Sequence, residues 1–158
     1  METFPDWSDL LRLFNAYSVE YAIVGGHAVA VHGAVRATKD LDILVAPTTD
    51  NAKRVLRALN EFGYGSVGLT EEDFTRLDHF VQLGFPPARI DLMTQVPGLT
   101  WDELAQRRIS VKFAGVDARV IGRKDLIHSK RALNRTQDKL DLELLGVEDA
   151  LDSGHADE

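Results

Sequence analysis

The sequence predicts an α+β domain in which helices flank a mixed β-sheet. Helical and strand patterns alternate along the 158 residues in the order α-β-α-β-α-β-β-α-β-β-α. Two of the strand pairs resemble hairpins, which break the regular βαβ rhythm of a doubly wound parallel sheet. The hydrophobic content of 44% is enough for one core. We therefore expect a single domain over residues 1–150, followed by an acidic tail at 151–158 that frays at the chain end.

The first half of the chain alternates strictly between helix and strand. Apolar residues at helical spacing predict a helix over 8–18, SDLLRLFNAYS. Residues 20–26, EYAIVGG, predict a strand that ends in two glycines, and 27–33, HAVAVHG, predict a short helix. Residues 40–47, DLDILVAP, predict a strand closed by proline. Residues 48–65 predict a helix that a threonine caps and a glycine stops.

The second half contains both hairpins. Residues 78–84, DHFVQLG, and 88–94, ARIDLMT, predict two strands joined by a Phe-Pro-Pro turn. Residues 100–108, TWDELAQRR, predict a short helix that begins at a threonine cap. Residues 110–122, SVKFAGVDARVIG, predict a hairpin that turns at Ala-Gly, and 123–146 supply one or two terminal helices.

Composition narrows the classes of function. The net charge of −7 argues against broad electrostatic binding of nucleic acid, although it allows a local basic groove. Cysteine is absent, which excludes disulfides and thiolate metal sites, and the five histidines show no HExxH spacing. The chain start lacks a basic signal-peptide region, and no apolar run approaches the roughly 20 residues of a membrane span. We expect a soluble cytoplasmic protein that does not bind membranes.

Two aspartates, Asp40 and Asp42, stand at the start of an apolar strand. Residues i and i+2 of a strand share a face at a spacing of about 7 Å, so the two carboxylates would repel unless a cation lies between them. Hard carboxylate oxygens suit Mg²⁺. Asp91 lies within another apolar strand, and if the strands are neighbours, three carboxylates converge on a site for two metal ions. The alternatives are a solvated turn or cap for Asp-x-Asp and a backbone-bonded Asp91.

The glycine pair Gly25–Gly26 precedes the aspartates, between a predicted strand and a predicted helix. Backbone without Cβ atoms can bring N–H groups against a phosphate near a helix start, although Gly-Gly before a helix is also common in ordinary turns. The order of the two elements favours a nucleotide site in which glycines hold phosphates and aspartates hold the metals that bridge them.

Positive charge for the phosphates has candidates in two places. These are the basic residues just ahead of the aspartates and those in the terminal helical segment: Arg36, Lys39, Lys124, Lys130, Arg131 and Arg135. The spacing of Lys124, Arg131 and Arg135 predicts one helical stripe that lines a cleft. The alternative for these residues is a solvated face with local ion pairs.

Four further side chains have simpler interpretations. We expect His27 to make a local hydrogen bond, with ligand contact as the alternative. Trp7 and Trp101 are expected to pack rather than to stack on a base. Asp138 is either the cap of the last helix or a site residue.

The stretch VGGHAVAVHGAVRATKDLDILV, within residues 21–45, resembles the signature of the polymerase-beta-type nucleotidyltransferases. The shared pattern is a glycine turn, a helix, Asp-x-Asp on the next strand and a third aspartate, here Asp91, on a later strand. The order and spacing of these residues are especially similar to those of small bacterial nucleotidyltransferases, including the abortive-infection AbiEii-type toxins of type IV toxin–antitoxin systems. Residues 122–145 show a weaker similarity to the family's lysine-containing terminal helices.

The resemblance implies the nucleotidyltransferase fold and a role for each matching residue. Gly25 and Gly26 would hold the phosphates of the nucleotide, Asp40 and Asp42 would bind two Mg²⁺ ions, and Asp91 would bind the catalytic metal and help to deprotonate the acceptor. Lys130 matches the family's terminal lysine. The chain departs from the family at its second glycine, where many members have a serine whose hydroxyl contacts phosphate, and in lacking room for a large acceptor domain.

The activity implied by the resemblance is metal-dependent transfer of a nucleoside monophosphate (NMP) from a nucleoside triphosphate (NTP) such as ATP. The cofactor would be Mg²⁺, with Mn²⁺ as a substitute. The acceptor hydroxyl belongs to an RNA 3′ end, a protein side chain or a small molecule, and a toxin role would add an antitoxin protein as partner. The alternatives are a nucleotide-binding regulatory module with little catalysis and a metal-dependent phosphodiesterase.

Overall fold

The computed structural model describes residues 3–33, 38 and 40–147. Its helices are α1 (Pro5–Ala16), α2 (Gly25–Val31), α3 (Thr49–Leu59), α4 (Trp101–Gln106), α5 (Arg123–Leu133) and α6 (Thr136–Leu144). Its strands are β1 (Tyr21–Val24), β2 (Leu41–Val45), β3 (Phe80–Leu83), β4 (Ile90–Met93), β5 (Ile109–Phe113) and β6 (Val116–Val120). A π-helical turn (Asn60–Tyr64) follows α3, and a 3₁₀ turn (Glu71–Phe74) precedes β3.

The strands form one mixed sheet in the order β3-β4-β2-β1-β6-β5. The two predicted hairpins, β3–β4 and β5–β6, form its antiparallel edges. In the centre, β1 runs antiparallel to β2 and parallel to β6, while β2 runs parallel to β4. The predicted α+β class is therefore confirmed.

The core surrounds the central strands. On β2, Leu41 and Ile43 are fully buried and Leu44 is 2% exposed, so apolar side chains are covered on both faces of the strand. Helix α1 buries one apolar stripe completely: Trp7, Leu10, Leu11 and Phe14. The proline at its start suits the first helical turn, where an N–H group would have no intrahelical partner.

The structure corrects two local predictions. Helix α2 begins at Gly25, so the glycine pair opens the helix rather than ending the strand. Of the one or two terminal helices predicted, the structure has two, because Asn134 adopts a left-handed conformation with φ of 54° that ends α5. Arg135 therefore precedes α6, and the predicted stripe of Lys124, Arg131 and Arg135 on one helix is wrong. The 3₁₀ turn, which buries Phe74, was not anticipated. No helix among the described residues is both long and apolar enough to cross a membrane.

Candidate functional site

The sheet register places two aspartates side by side. Strands β2 and β4 pair so that Asp42 lies opposite Asp91, while on the other side of β2 Asp42 lies opposite Val24. Paired residues on adjacent strands are about 4.8 Å apart, so the carboxyl groups are direct neighbours. The two side chains can share a hydrogen bond when one of the carboxyl groups is protonated. The neighbouring strands required for convergence of these two acids are thus present.

Burial and negative charge disfavour ionisation of this pair. Burial, followed by the charges of Asp91 and Asp40, raises the pKa of Asp42 to about 7, although Lys130 opposes the shift. Burial and then Asp40 also raise the pKa of Asp91, against the effect of Arg89. Within the described part of the chain, Asp91 Oδ1 is buried without a hydrogen-bond partner. The pair therefore has the features of an anionic site that a cation would stabilise.

Asp40 contributes charge from outside the strand. It lies in a bend one residue before β2, so the strand begins one residue later than predicted and Asp40 is not part of it. Among the residues that the structure describes, no three His, Asp or Glu side chains form a group able to hold a metal ion. The pair Asp42–Asp91 still fits Mg²⁺, which commonly takes one or two protein carboxylates together with substrate phosphates.

The backbone of Gly25 lies against the side chain of Asp42. Its φ is 70°, a left-handed conformation that favours glycine, and a Cβ at this position would lie 3.0 Å from Asp42 Cβ and closer still to the carboxylate. The glycine therefore lets the carboxyl group lie against the backbone at the start of α2. This requirement is independent of any phosphate contact, and it adds a structural reason for the glycine.

A cavity of about 270 Å³ opens beside this pair, between the ends of β1 and β2 and helix α5. Its polar wall comprises Gly25, Asp42, Gln95, Ser129, Lys130 and Arg135. Its apolar wall comprises Val24, Met93, Val96, Pro97, Ile121, Leu126 and Leu133. The cavity thus has a charged end next to Asp42 and an apolar remainder.

Lys130 is held in the cavity wall by two buried carboxylates. Its Nζ lies 3.2 Å from Asp138 Oδ1 and 2.9 Å from Asp141 Oδ2, and both aspartates are fully buried. Arg135 donates from Nε to Asp138 Oδ2 at 2.7 Å, and its backbone N–H donates to the same oxygen. Burial favours a raised pKa for Asp138, but these partners outweigh it and lower the pKa. Asp138 is therefore both the cap of α6 and a supporting residue of the cavity.

The remaining predicted residues lie elsewhere. Lys124 is exposed in the first turn of α5, and Gly26 is buried. Neither residue lines the cavity. Arg36 and Lys39 fall outside the described residues. His27 is fully buried, with its ring edge-on to those of Trp7 and Phe113 at 4.8 and 5.3 Å between centroids, which makes it a core residue.

Ser129 is a cavity residue that the sequence reasoning missed. It precedes Lys130 on α5, is 6% exposed and lines the cavity. Its side chain makes no hydrogen bond to any other residue in the described ranges, so its hydroxyl is available to a ligand in the cavity. The only available signal was its position next to the lysine that the resemblance singles out.

Comparisons with known proteins agree with the fold. Residues 8–158 match the model of a family described as "Nucleotidyltransferase of unknown function (DUF6036)". A search of curated proteins found no significant match.

Three solved structures are similar over most of the chain. A putative nucleotidyltransferase from Thermotoga maritima has a TM-score of 0.58 and 16% identity, over 90% of this chain and 93% of that one. An antigenic nucleotidyltransferase-like protein from Paracoccidioides brasiliensis has a TM-score of 0.53 and 16% identity, over 89% and 72%. The lincomycin-bound lincosamide antibiotic adenylyltransferase LnuA has a TM-score of 0.54 and 14% identity, over 92% and 98%. At these identities the similarity concerns the fold.

Proposed function

Because the chain belongs to the DUF6036 family of nucleotidyltransferases, we propose that it transfers NMP from an NTP to a hydroxyl acceptor. The observation that carries this proposal is the register pairing of Asp42 with Asp91, over Gly25 and beside a cavity that Lys130 lines. Neighbouring carboxylates that are partly buried are costly for a fold and are typical of sites that bind a cation.

The proposed reaction is an in-line displacement at the α-phosphorus. The acceptor oxygen forms a new bond to phosphorus, the bond from phosphorus to the oxygen that bridges to the β-phosphate breaks, and pyrophosphate leaves. The acceptor proton passes to the Asp91 carboxylate, which acts as the general base. When bound by Asp42 and Asp91, with Asp40 nearby, Mg²⁺ or its substitute Mn²⁺ would neutralise charge on the reacting phosphates.

The chain's own groups would hold the triphosphate at the charged end of the cavity. Lys130 and Arg135 offer positive charge, and Gly25 offers backbone at the start of α2. Ser129 would supply the phosphate-binding hydroxyl that Gly26 lacks, because its side chain is buried, has no partner in the described ranges and lines the same cavity. Gly26 and Lys124 do not line the cavity, so nothing among the described residues supports their predicted role in nucleotide binding, while Arg36 and Lys39 lie outside the described residues.

The acceptor is proposed only by class. An RNA 3′ end, a protein Ser, Thr or Tyr, and a small molecule are all consistent with a hydroxyl acceptor. The likeness in fold to an enzyme named for a lincosamide antibiotic supports testing small molecules first. A toxin role with an antitoxin partner rests on the sequence resemblance alone.

A nucleotide-binding regulatory module is the second candidate. It is favoured by the ion pairs of Lys130 and Arg135 with α6, which neutralise the basic groups of the cavity. Such a module would bind an NTP without transferring NMP.

The test is a transfer assay on the full chain with Mg²⁺ and each α-labelled NTP. Total RNA, total protein, and lincosamide and aminoglycoside compounds serve as acceptors. We expect label transfer that Asp42→Asn abolishes and that Asp117→Asn, which alters an exposed aspartate on β6, leaves intact. Tight NTP binding without transfer to any acceptor would favour the regulatory module, and absence of NTP binding would contradict both candidates.

A further inference from the structure

A second cavity of about 290 Å³ adjoins the first on the same face of the sheet. Asp42 lines the first cavity and Leu44 the second, and these residues are two apart on β2, so their side chains point to the same face. Gln95 and Val96 line both cavities. Each cavity alone is slightly below the range of about 300–1,000 Å³ typical of small-molecule sites, whereas the two together lie within it.

The chemistry of the second cavity suits a flat, uncharged group. Its apolar lining includes Leu44, Leu77, Val96, Leu99 and the ring of Trp101, and none of the described residues that line it is a lysine or an arginine. Among the described lining residues, the carboxylate of Asp102 is the one ionisable group, and it disfavours phosphate. The carboxamide of Gln95 is exposed and makes no hydrogen bond to another residue of the described ranges, which leaves it free to bond to a ligand edge.

Trp101 is presented as a stacking surface. The guanidinium carbon of Arg108 lies 5.0 Å from the centroid of its ring, and Arg108 is itself fixed by hydrogen bonds to the carbonyl oxygens of Ala105 and Tyr21. The ring is therefore held on one side by a cation while the residue lines the cavity. An aromatic ring in this arrangement is prepared to stack on a planar heterocycle.

The positions of the triphosphate and of the acceptor in the first cavity determine which part of the NTP can reach the second cavity. The triphosphate belongs near Lys130 and Arg135, and in-line attack places the acceptor on the opposite side of the α-phosphorus from the leaving pyrophosphate. Asp91, the proposed base, borders Gln82 of β3 and lines neither cavity, so the acceptor approaches from the β3–β4 side. The second cavity then remains for the far end of the NTP.

We propose that this cavity is the base-binding site, in which the nucleobase of the NTP stacks on Trp101 and Gln95 contacts its polar edge. The proposal rests on the proposed nucleotidyltransferase function and replaces the expectation that Trp101 only packs. It predicts that affinity for an NTP exceeds affinity for inorganic triphosphate, because the base contributes its own contacts.

The test compares Mg²⁺–ATP and the other NTPs with Mg²⁺–triphosphate, by calorimetry and by tryptophan fluorescence of the full chain. Trp7 is fully buried, so a change in fluorescence on ligand stacking reports on Trp101. We expect NTPs, but not inorganic triphosphate, to quench this fluorescence. Trp101→Ala should weaken ATP binding at least about fivefold and leave triphosphate binding unchanged, since stacking on an aromatic contributes about 1–3 kcal/mol.

Trp101→Phe should recover most of the lost affinity, and Leu140→Ala, which alters an exposed apolar residue that lines neither cavity, should have no effect. Equal binding of ATP and triphosphate without quenching in the unaltered chain would overturn the base site and leave the proposed function standing. This measurement does not depend on how well the Trp101→Ala chain folds. Failure of the unaltered chain to bind either ligand would overturn both.

Discussion

Replacement of Asp42 by asparagine is expected to stabilise the protein in metal-free buffer above neutral pH. The folded state raises the pKa of Asp42 from 3.8 to about 7, so it binds a proton that the unfolded state has already released over this range. Stability is therefore present at low pH and lost as the pH rises from about 4 to about 7. A pKa difference of this size corresponds to about 4 kcal/mol, and partial exposure together with the shared hydrogen bond to Asp91 reduces our expectation to about 2–3 kcal/mol.

Chemical denaturation of both chains in EDTA measures this difference. The free energy of unfolding of Asp42→Asn should exceed that of the unaltered chain by about 2–3 kcal/mol near pH 8, and the two should converge near pH 4. In a thermal melt the same difference is about 6–9 °C for a chain of this size. Added Mg²⁺ should then stabilise the unaltered chain and not the variant, since a ligand that binds only the folded state raises its stability.

Asp117→Asn is the matched control. Asp117 lies on the same sheet, but its side chain is 80% exposed and pairs with the equally solvated Lys112. Its replacement should change stability by less than about 1 kcal/mol at either pH. If Asp42→Asn is less stable than the unaltered chain near pH 8, the carboxylate has a structural role and the cation-site interpretation is wrong.

Three other substitutions, one of them with a control, test the neighbouring contacts. Gly25→Ala should lower the free energy of unfolding by about 2–4 kcal/mol in denaturant titrations, because the left-handed backbone and the collision with Asp42 both add cost. The control is Gly115→Ala, because φ there is 79° but a Cβ would meet no atom within 4 Å. It should lower the free energy of unfolding by only about 1–2 kcal/mol. Lys130→Met should lower the free energy of unfolding by about 3–5 kcal/mol in the same titrations, because two buried aspartates of α6 lose their ammonium partner. An unchanged free energy of unfolding would show that this ion pair is not required. Ser129→Ala should leave the melting temperature unchanged and weaken Mg²⁺–triphosphate binding about tenfold by calorimetry, and unchanged binding would exclude its hydroxyl from the phosphate site.

The sequence predicts the elements well because their signals are local. The apolar spacing of α1, the threonine caps of α3 and α4 and the turn at Ala114–Gly115 are each decided within a few residues. The break between α5 and α6 was harder to predict. It depends on one asparagine in a left-handed conformation, inside a segment whose helical pattern continues on both sides.

The site depends on contacts between residues far apart in sequence, which local patterns do not encode. The conclusion that Asp91 faces Asp42 requires β4 to pair with β2 in parallel, and only the assembled sheet supplies that register. The carboxylate that Gly25 accommodates is likewise 17 positions away. Ser129 gives no sequence signal, because a serine on a helix is ordinary until burial and the absence of a partner among the described residues distinguish it.

The charges around the cavity indicate how a nucleotide would be selected. Lys130 and Arg135 bring two positive charges, but Asp138 and Asp141 neutralise them, and Asp42, the neighbour of Asp91, lines the same cavity. A free triphosphate, with about four negative charges, would therefore meet a wall without net positive charge and next to two acids that already resist ionisation. The same triphosphate complexed with Mg²⁺ presents a cation to the two carboxylates and a reduced charge to the wall. The raised pKa of Asp42 and the neutralised Lys130 thus favour the same ligand, because both disfavour the free nucleotide and only the metal complex satisfies the acids and the phosphates together.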